Sequence, residues 1–305
     1  MENKILVIGA CNIDIQGVSS SIFIPNDSNI GDINVGFGGV GRNIADNLNK
    51  LIPNVKMITV LGNDEYSKSI KTDLENKGID ISDSLICDYP ISTYLSILNE
   101  KREMIAAIAD MKILKFLSLD FLKTKIDVIN NSEIIVIDTN LDTTTLQFLA
   151  SIKKENQIFV SDTVSVKKAK NLNCILESID ILKTNKLEIK SLTGIDDIDL
   201  ACKFLIDNGV KMLFLTLGKD GVKYYSKTKC GYIPNPPVDV VDVTGAGDIF
   251  TSTLVYAYSL GFNICEMAKI AQCASIIKIQ EKGTVPKSFT KEKLINEYMK
   301  LKEKK

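Results

Sequence analysis

Histidine does not occur among the 305 residues. Ser-His-Asp hydrolysis, His-ligated zinc and imidazole acid–base chemistry are thereby excluded, so a general base must be a carboxylate, lysine, tyrosine or cysteine. Cysteine occurs seven times, at 11, 87, 174, 202, 230, 265 and 273, with no C-x-x-C pair. An odd, scattered set reads as buried thiols in a reducing compartment. No apolar run reaches membrane-spanning length. The stretch Ile5–Ala10 is too short for a signal-peptide core, and Ile8-Gly9-Ala10-Cys11 imitates a lipoprotein box without the regions that precede one. The expectation is a cytoplasmic protein without a membrane partner. An excess of one charge is also lacking: 37 basic residues face 38 acidic ones, which argues against a nucleic-acid surface. Internal repeats, low-complexity tracts and linker-like segments are absent. So is a Walker A motif, because Gly218-Lys219 is followed by Asp220 and Leu213 stands where its first glycine belongs.

What is present is length and 45% hydrophobic residues, enough for one large α/β domain. Lys4–Ala10, Lys56–Leu61, Glu133–Asp138, Gln157–Ser161, Ile179–Thr184 and Lys211–Leu217 read as strands. Most are continuous apolar runs, the pattern of parallel strands covered on both faces. Val40–Leu51, Glu65–Lys77, Thr143–Lys154 and Ile198–Asn208 carry helical spacing, with Gly78 and Gly209 at helix C-caps. After Asp242 the chain turns mainly helical, over Ala246–Leu260, Ile264–Gln280 and Lys291–Lys302. The lysine-rich end, Lys300–Lys305, reads as a solvated, frayed helix terminus. This alternation points to an open, doubly wound, mostly parallel α/β sheet flanked by helices. Two stretches, 11–36 and 90–110, instead show polar–apolar alternation without a good helix.

The chemistry concentrates at Val241-Asp242-Val243-Thr244-Gly245-Ala246-Gly247-Asp248. Small residues where a polar loop enters a helix let backbone N–H groups approach a ligand, and the first turn leaves several of them unpaired. With the helix dipole they form a site for an anion such as phosphate. An aspartate beside such a cradle is repulsive unless it has work to do, and accepting the proton of an attacking hydroxyl is that work. A capped turn is the plain alternative.

Gly36-Phe37-Gly38-Gly39-Val40-Gly41 matches the dinucleotide fingerprint G-x-G-x-x-G, with a helix, a strand and Asp64 following. The strand before it would be only Ile33-Asn34-Val35, however, and a dinucleotide reading leaves 241–248 unexplained. Asn12 and Asp14 follow the first strand, where polar side chains of a parallel sheet face the binding crevice. They suit a pair of sugar hydroxyls, or an Asx turn. Asn185 and Glu188 form N-x-x-E on one face of a helical turn, placed to reach one hydrated cation or to cap the helix. Arg42 reads as a solvated helix residue.

The segment 241–248 resembles the second signature of the ribokinase-like (phosphofructokinase-B) carbohydrate and nucleoside kinases. Gly38-Gly39-Val40-Gly41-Arg42-Asn43 resembles the first, in the right order about two hundred residues earlier. The resemblance spans essentially the whole chain and implies one kinase domain over 1–305, with 11–36 and 90–110 pairing into a β lid and a possible homodimer through that lid. It implies Asp248 as the base, with Gly245, Ala246 and Gly247 forming the anion hole. Asp14, Asn12, Gly39 and Asn43 would hold the sugar. Asn185 and Glu188 would serve Mg²⁺ through water, and Thr216, Gly218 and Gly221, with Asn185, would serve ATP. Asp242, Thr244 and Gly283 would hold a monovalent cation, so that activity would rise with K⁺, although Val243 departs from the usual hydroxyl residue.

Within that family several stretches resemble pseudouridine kinases: Asp27-Ser28-Asn29-Ile30-Gly31, Gly38–Leu48, Ser92-Thr93-Tyr94, Asp110-Met111, Asp138-Thr139-Asn140-Leu141 and Asp162-Thr163-Val164-Ser165. Ile30 and Thr163 stand where proline is frequent. The implied activity is ATP-dependent phosphorylation of the nucleoside 5′-hydroxyl, with Ser28, Thr93, Tyr94, Ser165 and Lys168 around the base. Another nucleoside or pentose kinase, or a non-catalytic nucleoside- or sugar-binding protein on this fold, are the alternatives.

Overall fold

A computed structural model describes residues 4–303 of the chain, so the last two residues of the lysine-rich stretch lie outside the described residues. In chain order the strands are β1 (Ile5–Ile8), β2 (Asn12–Ser19), β3 (Gly31–Gly38), β4 (Lys56–Ile58), β5 (Val60–Leu61), β6 (Leu85–Ile86), β7 (Thr93–Leu98), β8 (Met104–Asp110), β9 (Ile134–Asp138), β10 (Ile158–Asp162), β11 (Ile181–Asn185), β12 (Met212–Thr216), β13 (Val222–Ser226) and β14 (Cys230–Ile233). The helices are α1 (Val40–Asn49), α2 (Glu65–Asn76), α3 (Leu119–Lys123), α4 (Ile126–Asn130), α5 (Thr143–Ile152), α6 (Val166–Ala169), α7 (Lys186–Thr193), α8 (Ile198–Asp207), α9 (Ala246–Ser259), α10 (Ile264–Ile279) and α11 (Lys291–Glu303).

Eight strands form the main sheet in the order β14-β13-β12-β11-β10-β9-β1-β4. The pairs from β4 to β12 are parallel, and β13 and β14 add an antiparallel edge. Alternate residues of one strand enter different layers. Ile5 and Val7 of β1 pack with α1, α9 and α10, whereas Leu6 and Ile8 pack with α5 and α8. Both faces are therefore dry, and the strands read as unbroken apolar runs. Each fully buried Leu, Ile or Phe contributes about 1.5–3 kcal/mol through the hydrophobic effect. The result is a doubly wound, mostly parallel α/β sheet flanked by helices.

Side-chain caps fix several helix starts. Asp64 accepts from Ser67 N–H at 2.8 Å and Asp142 from Thr145 N–H at 2.7 Å, which is the N-cap preference expressed locally. The structure departs from the sequence reading at Lys56–Leu61, which is two strands. β4 stays in the main sheet, while β5 pairs with β6 in a separate ribbon. The β13–β14 hairpin and the short helices α3, α4 and α6 lie outside the elements read from sequence, and α7 extends the helical turn read at Asn185 and Glu188.

β3, β2, β7 and β8 form a separate four-stranded sheet in that order. Asp14 pairs with Gly36 on one side and Tyr94 on the other, and Ile15 with Val35 and Leu95. Because side chains alternate, Asp14 and Tyr94 share one face and Ile13, Ile15, Val35 and Ile108 the other. Among the described residues no helix is long and apolar enough to cross a membrane.

Candidate active site

Parallel strands end at a common edge, and here that edge carries Asp138, Asp162, Asn185 and Thr216. The N-termini of α1 and α9 reach the same edge. Gly245 caps α9 in the left-handed region at φ 81°. A Cβ there would lie 2.0 Å from the Thr284 carbonyl oxygen, so only glycine fits. The Ala246 N–H already donates to the Val243 carbonyl at 3.1 Å. Of the anion-hole residues expected at Gly245, Ala246 and Gly247, Ala246 therefore has its amide engaged, while Gly247 and Asp248 supply the first-turn N–H groups that have no acceptor within the helix.

Asp248 sits in that first turn, partly buried. Its Oδ2 accepts from Asn43 Nδ2 at 2.8 Å. Burial, and next the charge of Asp162, push its pKa up to about 7, while the Asn43 bond and Lys183 pull it down. Lys183 is a residue the sequence reading missed. A Cβ on Gly247 would lie 2.6 Å from its Nζ, so the missing side chain makes room for the ammonium. Burial opposes that charge, but Asp162, Glu188 and Asp248 outweigh it and push the pKa up. Asp162 holds the ammonium at 3.2 Å and accepts from the Thr251 hydroxyl at 2.7 Å.

The start of α1 is built by close backbone contact. Gly39 is at φ 100°, and a Cβ on Gly41 would lie 2.7 Å from Gly9 Cα. The buried Asp138 accepts from Ala10 N–H at 2.9 Å and Gly41 N–H at 3.0 Å, tying the end of β1 to α1. Arg42 is not solvated, as read from sequence, but 4% exposed. It pairs with Asp46 at 3.0 Å and Asp73 at 2.9 Å, and donates to Asn43 Oδ1 at 3.2 Å. Helical spacing alone placed it among polar neighbours; its partner on α2 is invisible to that pattern.

Asn12 Nδ2 donates to Asp14 Oδ1 at 2.6 Å, and a Cβ on Gly38 would lie 2.3 Å from Asp14 Oδ2. Burial raises the Asp14 pKa, with the Asn12 bond opposing. Thr93 lies on the Ile13 face, opposite Asp14, and its hydroxyl donates to the Ile91 carbonyl at 3.2 Å. Tyr94, not Thr93, shares the Asp14 face. Ser28 occupies an exposed turn braced by the Asn29 side chain, which bonds Ile24 N–H and C=O at 2.8 Å each. Lys168 donates to the Asn140 side chain, and burial lowers its pKa. After β10, Val164 is held at φ 60° while Ser165 N–H donates to the Thr163 carbonyl at 2.6 Å. A β-branched residue in that region is strained.

A cavity of about 510 Å³ opens beside Ala246 and Gly247, and Thr216, Gly218 and Gly221 line it. Val222, Phe250 and Ile276 give it apolar walls, and Asn235 and Gln272 polar ones. Asn185 is not among its lining residues. Instead Asn185 and Glu188 form a reciprocal capping box on α7, and Glu188 also accepts from the Thr163 hydroxyl. Among the described residues no group of three or more His, Cys, Asp or Glu is placed to hold a metal ion.

Asp242, Thr244 and Gly283 do assemble. Asp242 accepts from the Thr244 and Gly283 N–H groups at 2.9 Å each. The fully buried Lys278 enters the same cluster, donating to the carbonyls of Asp242 at 2.7 Å and Glu281 at 3.0 Å, with Asp242 Oδ2 at 3.8 Å. Burial raises the Asp242 pKa, but those hydrogen bonds and the Lys278 charge overcome it and leave it lowered. A second cation about 4 Å from the ammonium would be repelled by about 4 kcal/mol in a medium of intermediate polarity. The expectation of a free K⁺ is corrected on that ground, since the residues present do not fit one.

The chain is 33% identical over 284 residues to a pseudouridine kinase of Escherichia coli, covering 90% of each chain. It is 27% identical over 300 residues to a guanosine-inosine kinase of Exiguobacterium acetylicum, covering 93% of this chain and 97% of that one. The crystal structure of a putative sugar kinase from Clostridium perfringens superposes with a TM-score of 0.86 at 33% identity, covering 98% of this chain and 96% of that one. A family model described as pfkB family carbohydrate kinase matches residues 2–291. With the sheet, the glycine-capped helix and the aspartate in its first turn, that match makes the chain a member of the pfkB family of carbohydrate kinases.

Proposed function

We propose that the chain transfers the γ-phosphoryl group of ATP to the 5′-hydroxyl of pseudouridine, with Asp248 as the general base. The observation that carries this reading is the Asp248 carboxylate, held by Asn43 at 2.8 Å beside the open amides of α9 and next to the cavity. A base with a pKa near the working pH is matched to removing a hydroxyl proton during attack.

ATP fits the cavity, whose apolar walls suit the adenine and whose floor at Gly247 leads its phosphates to the N-terminus of α9. The Gly247 and Asp248 amides then meet charge that develops on the transferring group, and the neighbouring Lys183 adds a fixed positive charge. Magnesium supplies charge neutralisation on the β- and γ-phosphates when bound with ATP. Asn185 and Glu188 fit only a water-mediated part in that, because their capping bonds occupy them.

Asp14, oriented by Asn12, faces the ribose diol from the four-stranded sheet, which serves as the lid. Tyr94 on the same face, and Lys168 with Asn140 at the sheet edge, are the groups that reach the base. The name of the 33%-identical relative supports pseudouridine, and that of the 27%-identical relative supports a purine nucleoside as the second reading. Ile33, Val35 and Ile108 are exposed on the outer face of the lid, at 75%, 51% and 66%, and support a homodimer through it.

The test is MgATP turnover with pseudouridine, uridine, inosine, adenosine, ribose and fructose as separate acceptors. Pseudouridine should have the highest kcat/KM. If inosine leads, the second reading replaces the first; if none is phosphorylated, the proposal fails.

A further inference from the structure

We infer that the Lys278 ammonium is a tethered monovalent cation, which fixes the phosphate-binding loop from within and makes a dissolved potassium ion unnecessary. Two loops meet under the N-terminus of α9. One is 241–245, whose Val241 and Asp242 N–H groups donate to the Ile279 carbonyl at 2.7 and 3.1 Å. The other is 281–284, whose Thr284 carbonyl lies against Gly245. Lys278, in the last turn of α10, reaches the gap between them. Its Nζ donates to one carbonyl of each loop, Asp242 and Glu281, and stands 3.8 Å from the Asp242 carboxylate.

The donor set is the kind a potassium ion would use: two backbone carbonyls and a carboxylate. Here the two carboxylate oxygens already accept the Thr244 and Gly283 N–H groups. A lysine with no exposed surface must have partners for its charge, and these oxygens are the partners given to it. The end of α10 adds the negative pole of its dipole to the same point. The cation is thus covalently attached, and no ion has to be captured from solution to order the Gly245–Asp248 turn.

The experiment compares the protein in potassium chloride and in tetramethylammonium chloride at equal ionic strength, for the native chain and for Lys278→Met. Two quantities are read: the melting temperature without any ligand, and MgATP turnover with pseudouridine. The native chain should melt at the same temperature in both salts and turn over at rates within about twofold. Lys278→Met should lose on the order of 10- to 100-fold in kcat in tetramethylammonium, as expected of a misplaced phosphate loop. Potassium or ammonium ions should restore part of that loss and raise the variant's melting temperature by binding the vacated oxygens. A native chain that melts higher, or runs about tenfold faster, in potassium overturns the inference. So does a Lys278→Met protein that is fully active in tetramethylammonium. If the variant does not fold, the native comparison decides alone. The activity arm rests on the proposed kinase reaction, but the melting arm does not, so a failure of that reaction and a failure of this inference are distinguishable.

Discussion

Asn43 and Asp248, 205 positions apart, are joined by a 2.8 Å hydrogen bond between the first turns of α1 and α9. The two sequence signatures therefore converge on one atom, Asp248 Oδ2. Asn43 is itself gripped by Arg42 through its Oδ1, so the orientation of its N–H toward the base is set from behind.

Asp248→Asn keeps the shape and removes the base. Turnover should fall by about 10²–10⁴-fold with nucleoside binding largely retained. Single-turnover rates and equilibrium binding measured on the same preparation check this, and a variant within about threefold of the native rate removes Asp248 from the role.

The pKa of about 7 gives a pH profile with a definite sign. The base works only when unprotonated, so kcat/KM should climb with pH and level off above about 7. The Asn43 bond lowers that pKa, so Asn43→Ala should move the inflection to higher pH. A profile flat from pH 5 to 9, or an inflection that moves down in Asn43→Ala, contradicts the assignment.

The same shift acts on stability. The folded Asp248 retains its proton up to about 7, against an ordinary value of 3.8 in the unfolded chain. Between those values folding takes up a proton, so this group's contribution declines as pH rises through the window. Asp248→Asn should accordingly melt above the native protein at pH 8, with the difference shrinking toward pH 4. Melting curves at both pH values test it.

Arg42 is a positioning residue. Arg42→Met leaves Asp46, 2% exposed, with Lys77 as its remaining partner and should cost on the order of 3 kcal/mol of stability. It should also lower kcat by about tenfold and displace the pH inflection, because Asn43 loses its brace. Arg42→Lys, which cannot repeat the fork between Asp46, Asp73 and Asn43, should restore stability better than kcat. Equal recovery of both would make Arg42 merely structural.

The lid face gives a separate outcome. Ile33→Glu or Ile108→Glu places a charge on the exposed apolar face, and sedimentation should show a dimer for the native chain and a monomer for either variant. A native monomer ends the homodimer proposal.

The fold was legible because strands covered on both faces must be continuously apolar, and because glycines at positive φ mark the starts of α1 and α9. Asp248 and its glycine turn stood out because their spacing is local, whereas Thr216, Gly218 and Gly221, which line the cavity, were reached only through the family resemblance. Residues whose meaning depends on a distant partner were not legible. Arg42 needs Asp73 on α2, Lys183 needs the space left by Gly247, and Lys278 hides in the ordinary period of α10. Thr93 and Tyr94 were adjacent candidates that only strand register separates. The break between β4 and β5 arises because β6, from another part of the chain, captures Val60 and Leu61.

Competition between pseudouridine and uridine for limiting enzyme with MgATP, the products being identified by phosphorus NMR, tests the substrate assignment. The two nucleosides share the ribose, so Asp14 cannot separate them. Only pseudouridine carries a second ring N–H, on the nitrogen through which uridine is joined to its ribose, and an acceptor aimed at that N–H would be left unpaired by uridine at a cost of about 1–3 kcal/mol. The 5′-phosphate of pseudouridine should form with a preference of roughly 5- to 150-fold. Equal or faster phosphorylation of uridine, or a phosphate at any other hydroxyl, would contradict it.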